Sequence, residues 1–93
     1  MPVTVTLPGP LRQRAGGRSH VTLDASPATV GEALTLLWRS HPGLRDRILV
    51  ESGEVRPHVN VFVGNESIRY TGGLATPLPQ DATIAIIPAV SGG

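Results

Sequence analysis

The sequence predicts an α+β fold, a single mixed sheet with one main helix packed across it, from three observations. Short segments of alternating apolar and polar residues, Val3–Leu7, His20–Asp24 and Val59–Val63, have the two-residue period of strands with one buried face. One segment between the second and third of these has the helical period instead. The last regular segment, Thr83–Ile87, is apolar almost throughout, the pattern of a strand in the interior of a sheet.

The first strand, Val3–Leu7, is stopped by Pro8-Gly9-Pro10, and the stretch to Ser19, with Gly16-Gly17, is expected to be irregular. His20–Asp24 returns as its antiparallel partner across a long loop. Thr29 and Glu32 head the helical segment at the spacing of a capping box, in which each side chain takes up an orphan backbone N–H of the first turn. Val30, Ala33, Leu34, Leu37 and Trp38 then make one continuous apolar stripe. His41-Pro42-Gly43 stops the helix. Leu44–Val50 is expected to add one short turn with Leu44, Ile48 and Leu49 as its apolar residues. Glu51–Pro57 reads as a polar loop, Val59–Val63 as a strand, Gly64-Asn65 as a tight turn and Glu66–Tyr70 as a short strand. Thr71–Asp81 reads as a long loop. Its Gly72-Gly73 either serves a turn of positive φ or lets another protein approach closely. Thr83–Ile87 is the last strand, Pro88 ends it, and Ala89–Gly93 is an extended tail.

The resulting order is ββαβββ. Neither the helix nor the sheet can bury its apolar side alone, so the helix crosses one face of the sheet. The last strand is expected to insert beside the first, in parallel, at the centre. This is the β-grasp, or ubiquitin-like, architecture, with residues 1–88 as the domain and 89–93 as the tail. If Val59, Val61, Val63, Ile84 and Ile86 face the helix, Asn60, Phe62, Ala85 and Ile87 face the other way. Phe62 and Ile87, joined by Leu74, are expected to form an apolar patch on the open face near the tail's root, of the kind that receives a partner.

Composition removes several function classes. Ninety-three residues at 40 % hydrophobic content make one domain with a modest core. The absence of cysteine excludes a disulfide framework and a thiol nucleophile. His20, His41 and His58 are scattered without metal-ligand spacing, no paired carboxylates occur, and Gly16-Gly17-Arg18-Ser19 lacks the phosphate-loop frame. No catalytic residue and no metal ligand is therefore expected in the chain. The net charge is +1, and all eight cationic side chains are arginine. Arg12, Arg14 and Arg18 share one Gly-rich loop, read as solvated because no aromatics are interleaved with them, and no nucleic-acid partner is expected. The start of the chain lacks a basic segment ahead of an apolar run, and no stretch is long enough to cross a bilayer. A cytoplasmic location without membrane attachment is expected.

The most informative segment is the end, Ser91-Gly92-Gly93. A carboxylate at the tip of an arm almost free of side chains can enter a narrow active site, where residues with a Cβ need a wider channel.

Three segments carry a family resemblance: His58-Val-Asn-Val-Phe-Val63, Arg69-Tyr-Thr-Gly-Gly-Leu-Ala-Thr76 and Ile86-Ile-Pro-Ala-Val-Ser-Gly-Gly93. With the Leu11-Arg12 and Gly16-Gly17 loop and the helix after Thr29, the chain resembles the MoaD/ThiS sulfur-carrier proteins over its whole length, most of all their CysO branch. Ser91, where alanine is expected, is a departure small enough for the same channel. The resemblance implies a carrier that is not itself an enzyme. A ubiquitin-activating-type adenylating enzyme and sulfurtransferase would convert the Gly93 carboxylate to an acyl-adenylate with ATP, and a sulfur donor would displace AMP to leave a thiocarboxylate. Ala89, Val90, Ser91 and Gly92 would enter the partner active sites. A cysteine synthase using pyridoxal phosphate would take the sulfur, an S-to-N acyl shift would leave a cysteine amide on Gly93, and a zinc metalloprotease would release cysteine. ATP, pyridoxal phosphate and zinc would all belong to those partners. Phe62, Arg69, Leu74 and Ile87 are the expected partner surface, with Arg69 open to an acidic partner or to the domain's own loop. The alternatives are the small subunit of molybdopterin synthase, a ubiquitin-like modifier joined to lysines, and a plain interaction module.

Overall fold

The computed structural model describes residues 2–88. Five strands, β1 (Val3–Thr6), β2 (His20–Leu23), β3 (Val59–Val63), β4 (Glu66–Ser67) and β5 (Thr83–Pro88), form one sheet in the order β2-β1-β5-β3-β4. β5 lies at the centre, parallel to β1 and antiparallel to β3. β1 and β2 pair antiparallel, as do β3 and β4. This is the β-grasp order the sequence predicts, with the chain's last strand held on both edges.

The main helix, α2 (Val30–Ser40), begins where the cap residues place it. The Thr29 hydroxyl accepts the Glu32 N–H at 3.2 Å. The Glu32 carboxylate accepts the Ala28 N–H at 3.3 Å, one residue earlier than a capping box would have it. Val30, Ala33, Leu34 and Leu37 are buried against the sheet, with Trp38 half-buried at the margin. After His41 the chain turns through a 3₁₀ segment, Pro42–Leu44, into the short α3 (Arg45–Ile48), which buries Leu44, Ile48 and Leu49 in the same aliphatic core.

Three segments depart from expectation. Gly9–Arg12 is one turn of helix, α1, continued by a 3₁₀ turn at Gln13–Ala15, where an irregular loop was expected. Pro10 lies in the first turn, where its missing N–H would have had no partner in any case. The Arg12 Nε donates to the Leu7 carbonyl at 3.1 Å, Ala15 is buried, and Gly16 closes the turn in the left-handed region. β4 stops at Ser67 instead of running to Tyr70. The Ser67 hydroxyl accepts the Arg69 N–H at 3.3 Å, and Ile68–Tyr70 forms a 3₁₀ turn with Ile68 buried.

The last strand includes Pro88 instead of stopping before it. Pro88 stands opposite Val59, whose N–H donates to the Arg56 carbonyl and whose carbonyl accepts from Arg69. Val59 therefore asks nothing of Pro88, and a residue without an N–H fits there.

Candidate functional site

Residues 89–93 continue from β5 at the end of the sheet shared by the C-terminal ends of β1 and β5 and the N-terminal ends of β2 and β3. The register pairs Thr6 with His20 and Val59 with Pro88 at that end. Ala89, Val90, Ser91, Gly92 and Gly93, the expected tail and its sulfur-bearing tip, lie outside the described residues. What the structure describes is the platform that carries them.

The open face of that platform holds two of the expected surface residues. Val59, Val61, Ile84 and Ile86 are buried on the helix side, with Val63 half-buried. Their neighbours Phe62 and Ala85 pair directly and are half-buried, while Ile87, paired with Asn60, is 46 % exposed. Phe62 and Ile87 are thus diagonal neighbours on one side of the β3–β5 ladder. Sequence reasoning missed the most exposed large hydrophobic side chain among the described residues, Tyr70, at 88 %. Its signal was the turn chemistry of Ser67, which ends β4 three residues before Tyr70.

Leu74 is not on the open face. Gly72 and Gly73, at φ of +123° and +61°, turn the chain sharply, and the 3₁₀ turn Gly73–Ala75 carries Leu74 to the helix side. There it packs so closely on Gly31 that a Cβ at Gly31 would lie 3.1 Å from the Leu74 carbonyl oxygen. The Thr76 carbonyl accepts the Val30 N–H at 3.0 Å, and the Ala28 carbonyl accepts the Leu78 N–H at 2.9 Å. Thr76 itself is buried, its hydroxyl donating to the Gly73 carbonyl at 2.7 Å. The Gly-Gly-Leu-Ala-Thr segment therefore braces the long loop against the first turn of α2, taking up one of its orphan N–H groups. Gly72-Gly73 serves backbone geometry.

Arg69 is turned to the domain's own loop. Its Nη2 lies 2.9 Å from the carbonyls of Pro57 and Val59 and 3.3 Å from that of Arg56. The Val59 carbonyl lies on the part of β3 that the two-residue β4 leaves uncovered, and those of Arg56 and Pro57 lie just before the strand, so the guanidinium covers the start of an open sheet edge. It also fixes the residues opposite Pro88. Among the described residues no group of three or more His, Asp or Glu side chains could hold a metal ion, and no helix is long and apolar enough to cross a membrane.

Comparison with known proteins decides the family. The ThiS family matches residues 5–93. The chain belongs to the ThiS family. It is 37 % identical over its whole length to all of the sulfur carrier protein CysO of Mycobacterium tuberculosis. Small archaeal modifier protein 3 of Haloferax volcanii is 41 % identical over 88 % of each chain. Among solved structures, CysO of Amycolatopsis orientalis, crystallised in complex with BexX, superposes with a TM-score of 0.87 at 37 % identity, covering 98 % of this chain and 99 % of that one. The fold of this ThiS-family chain is accordingly the β-grasp of the CysO and archaeal modifier structures, with β5 as its central strand.

Proposed function

We propose that this ThiS-family chain is a sulfur carrier of the CysO kind. The single observation that carries the reading is that the family match runs through the Gly-Gly segment to residue 93, beyond a central strand that leads the chain out of the sheet at one defined end. In the proposed reaction a Gly93 carboxylate oxygen attacks the α-phosphorus of ATP on an adenylating enzyme, and pyrophosphate leaves. Hydrosulfide released by a donor then attacks the acyl carbon and AMP leaves, giving a thiocarboxylate. Ala89, Val90, Ser91 and Gly92 reach into the enzyme, while Phe62 and Ile87 rest on its surface. In the finer proposal a pyridoxal-phosphate-dependent synthase takes the sulfur for cysteine, and a zinc protease frees the product. ATP, pyridoxal phosphate and zinc stay on the partners.

Intact-mass measurement tests this. The protein is isolated from its native cell, or incubated with the adenylating enzyme, ATP and a sulfur source. A gain equal to sulfur replacing one oxygen at Gly93 is expected, and a gain of one cysteine residue selects the cysteine route. A chain that stays unmodified, or whose last residue is not Gly93, defeats the reading.

The 41 % identity to an archaeal modifier favours a second reading, in which Gly93 is joined to lysine amines of other proteins. Peptides in which Gly93 of this chain is joined by an isopeptide bond to lysines of cellular proteins would support it.

A further inference from the structure

Arginine is concentrated toward one end of the sheet, and three of the seven carboxylates lie at the other. Asp24 follows β2, Asp81 precedes β5 and Glu66 closes the β3–β4 turn, all at the end remote from Pro88. At the Pro88 end, Arg12, Arg14 and Arg18 lie in the connection from β1 to β2, and Arg69 reaches the Pro57 and Val59 carbonyls. Arg14, Arg47, Arg56 and His58 line one cleft there with Gly43 and Asp46. Six of the eight arginines therefore gather at the end from which residue 89 continues.

The cleft is prepared for an anionic surface. Asp46, the one carboxylate lining it, pairs with Arg45 at 3.2 Å. Among the described residues, Arg14 and Arg47 have no carboxylate within salt-bridge distance, and both are exposed. Arg56 is held by two bonds to the Asp46 carbonyl, at 2.9 Å from Nε and 2.6 Å from Nη2, so it loses little freedom on binding. The cleft, of roughly 570 Å³, is open and far larger than a phosphate ion. Its lining holds no Phe, Tyr or Trp and a single imidazole, His58, so it lacks the run of stacking platforms that single-stranded nucleic acid uses. A protein surface carrying several carboxylates fits these features.

We propose that the chain docks with its Pro88 end first onto a carboxylate-lined surface of a partner protein, with Arg14, Arg47, Arg56 and His58 forming the receiving cleft. This rests on the carrier reading above and adds how the tail is aimed. The basic end is drawn to the acidic surface, so encounters are oriented with residue 89 leading.

The test uses the full chain and the ubiquitin-activating-type adenylating enzyme of the same organism, followed by ATP–pyrophosphate exchange at several ionic strengths. The double variant Arg14→Glu/Arg47→Glu is expected to lower kcat/KM by about tenfold or more, mainly through KM, and to flatten its salt dependence. Asp24→Arg, at the remote end, is expected to leave kcat/KM unchanged. Circular dichroism and denaturant midpoints check that both variants are folded. If the double variant keeps wild-type kcat/KM, or Asp24→Arg loses as much, the docking proposal fails while the carrier reading stands. If the wild type supports no exchange, the carrier reading fails and the docking proposal falls with it. Single-stranded RNA bound by the wild type and lost by the double variant would assign the cleft to nucleic acid and overturn the proposal.

Discussion

On the side of β3 and β5 turned to α2, Val59, Val61, Ile84 and Ile86 are sealed from water, whereas on the other side of the same strands Phe62 and Ala85 are half-buried and Ile87 is 46 % exposed. The alternation of a strand places two surfaces of different use within a few ångströms. Burial on the helix side holds the domain together, and each lost methylene there leaves a void the packed neighbours cannot fill. The open side contributes much less to folding, so its apolar residues are available for contacts with another molecule.

Substitutions can break this division or sharpen it. Ile84→Ala, at a fully buried central position, is expected to destabilise the domain by about 2–5 kcal/mol, seen as a lower denaturant midpoint. A loss below about 1 kcal/mol would mean that the helix side is not the core. Gly31→Val should cost about 1–3 kcal/mol, because the added side chain meets the Leu74 carbonyl. Amide exchange in the Gly73–Ala75 turn should quicken with it, and an unaltered turn would show that the brace is not needed. Thr29→Ala removes the cap of α2 and should cost about 1 kcal/mol by the same denaturant measurement. Ile87→Ala should change stability by only about 0.5 kcal/mol while raising the KM of the adenylating enzyme for the carrier. A stability loss as large as that of Ile84→Ala would merge the two faces into one core.

Much of this was legible in the sequence, because the signals are local. The two-residue alternation in β1, β2 and β3, the Thr29–Glu32 pair and the apolar run of β5 each specify an element within a handful of residues. The central parallel position of β5 followed from its apolar character together with the element order. What was not legible depends on contacts between distant segments. Leu74 reaches the helix because Gly31 leaves room for it, more than forty positions earlier. Arg69 answers carbonyls of Arg56, Pro57 and Val59, and nothing in its own neighbourhood announces that. At Gly9–Arg12 the same residues that signal a stop, a glycine and a proline, also suit the first turn of a helix, and the buried Ala15 tips the balance. The basic cleft is the strongest instance. Arg14, Arg47, Arg56 and His58 come from three separate segments, and only the Arg12–Arg14–Arg18 group was visible as a cluster.

The place of β5 also has a mechanical meaning. Its hydrogen bonds run sideways, to β1 on one edge and β3 on the other, so a pull transmitted through residue 88 along the strand loads both ladders in shear. They must give way together, not peel apart one rung at a time. The domain is thus suited to withstand traction on whatever follows Pro88, and a force-extension experiment pulling from that point should meet its peak resistance before any other element yields.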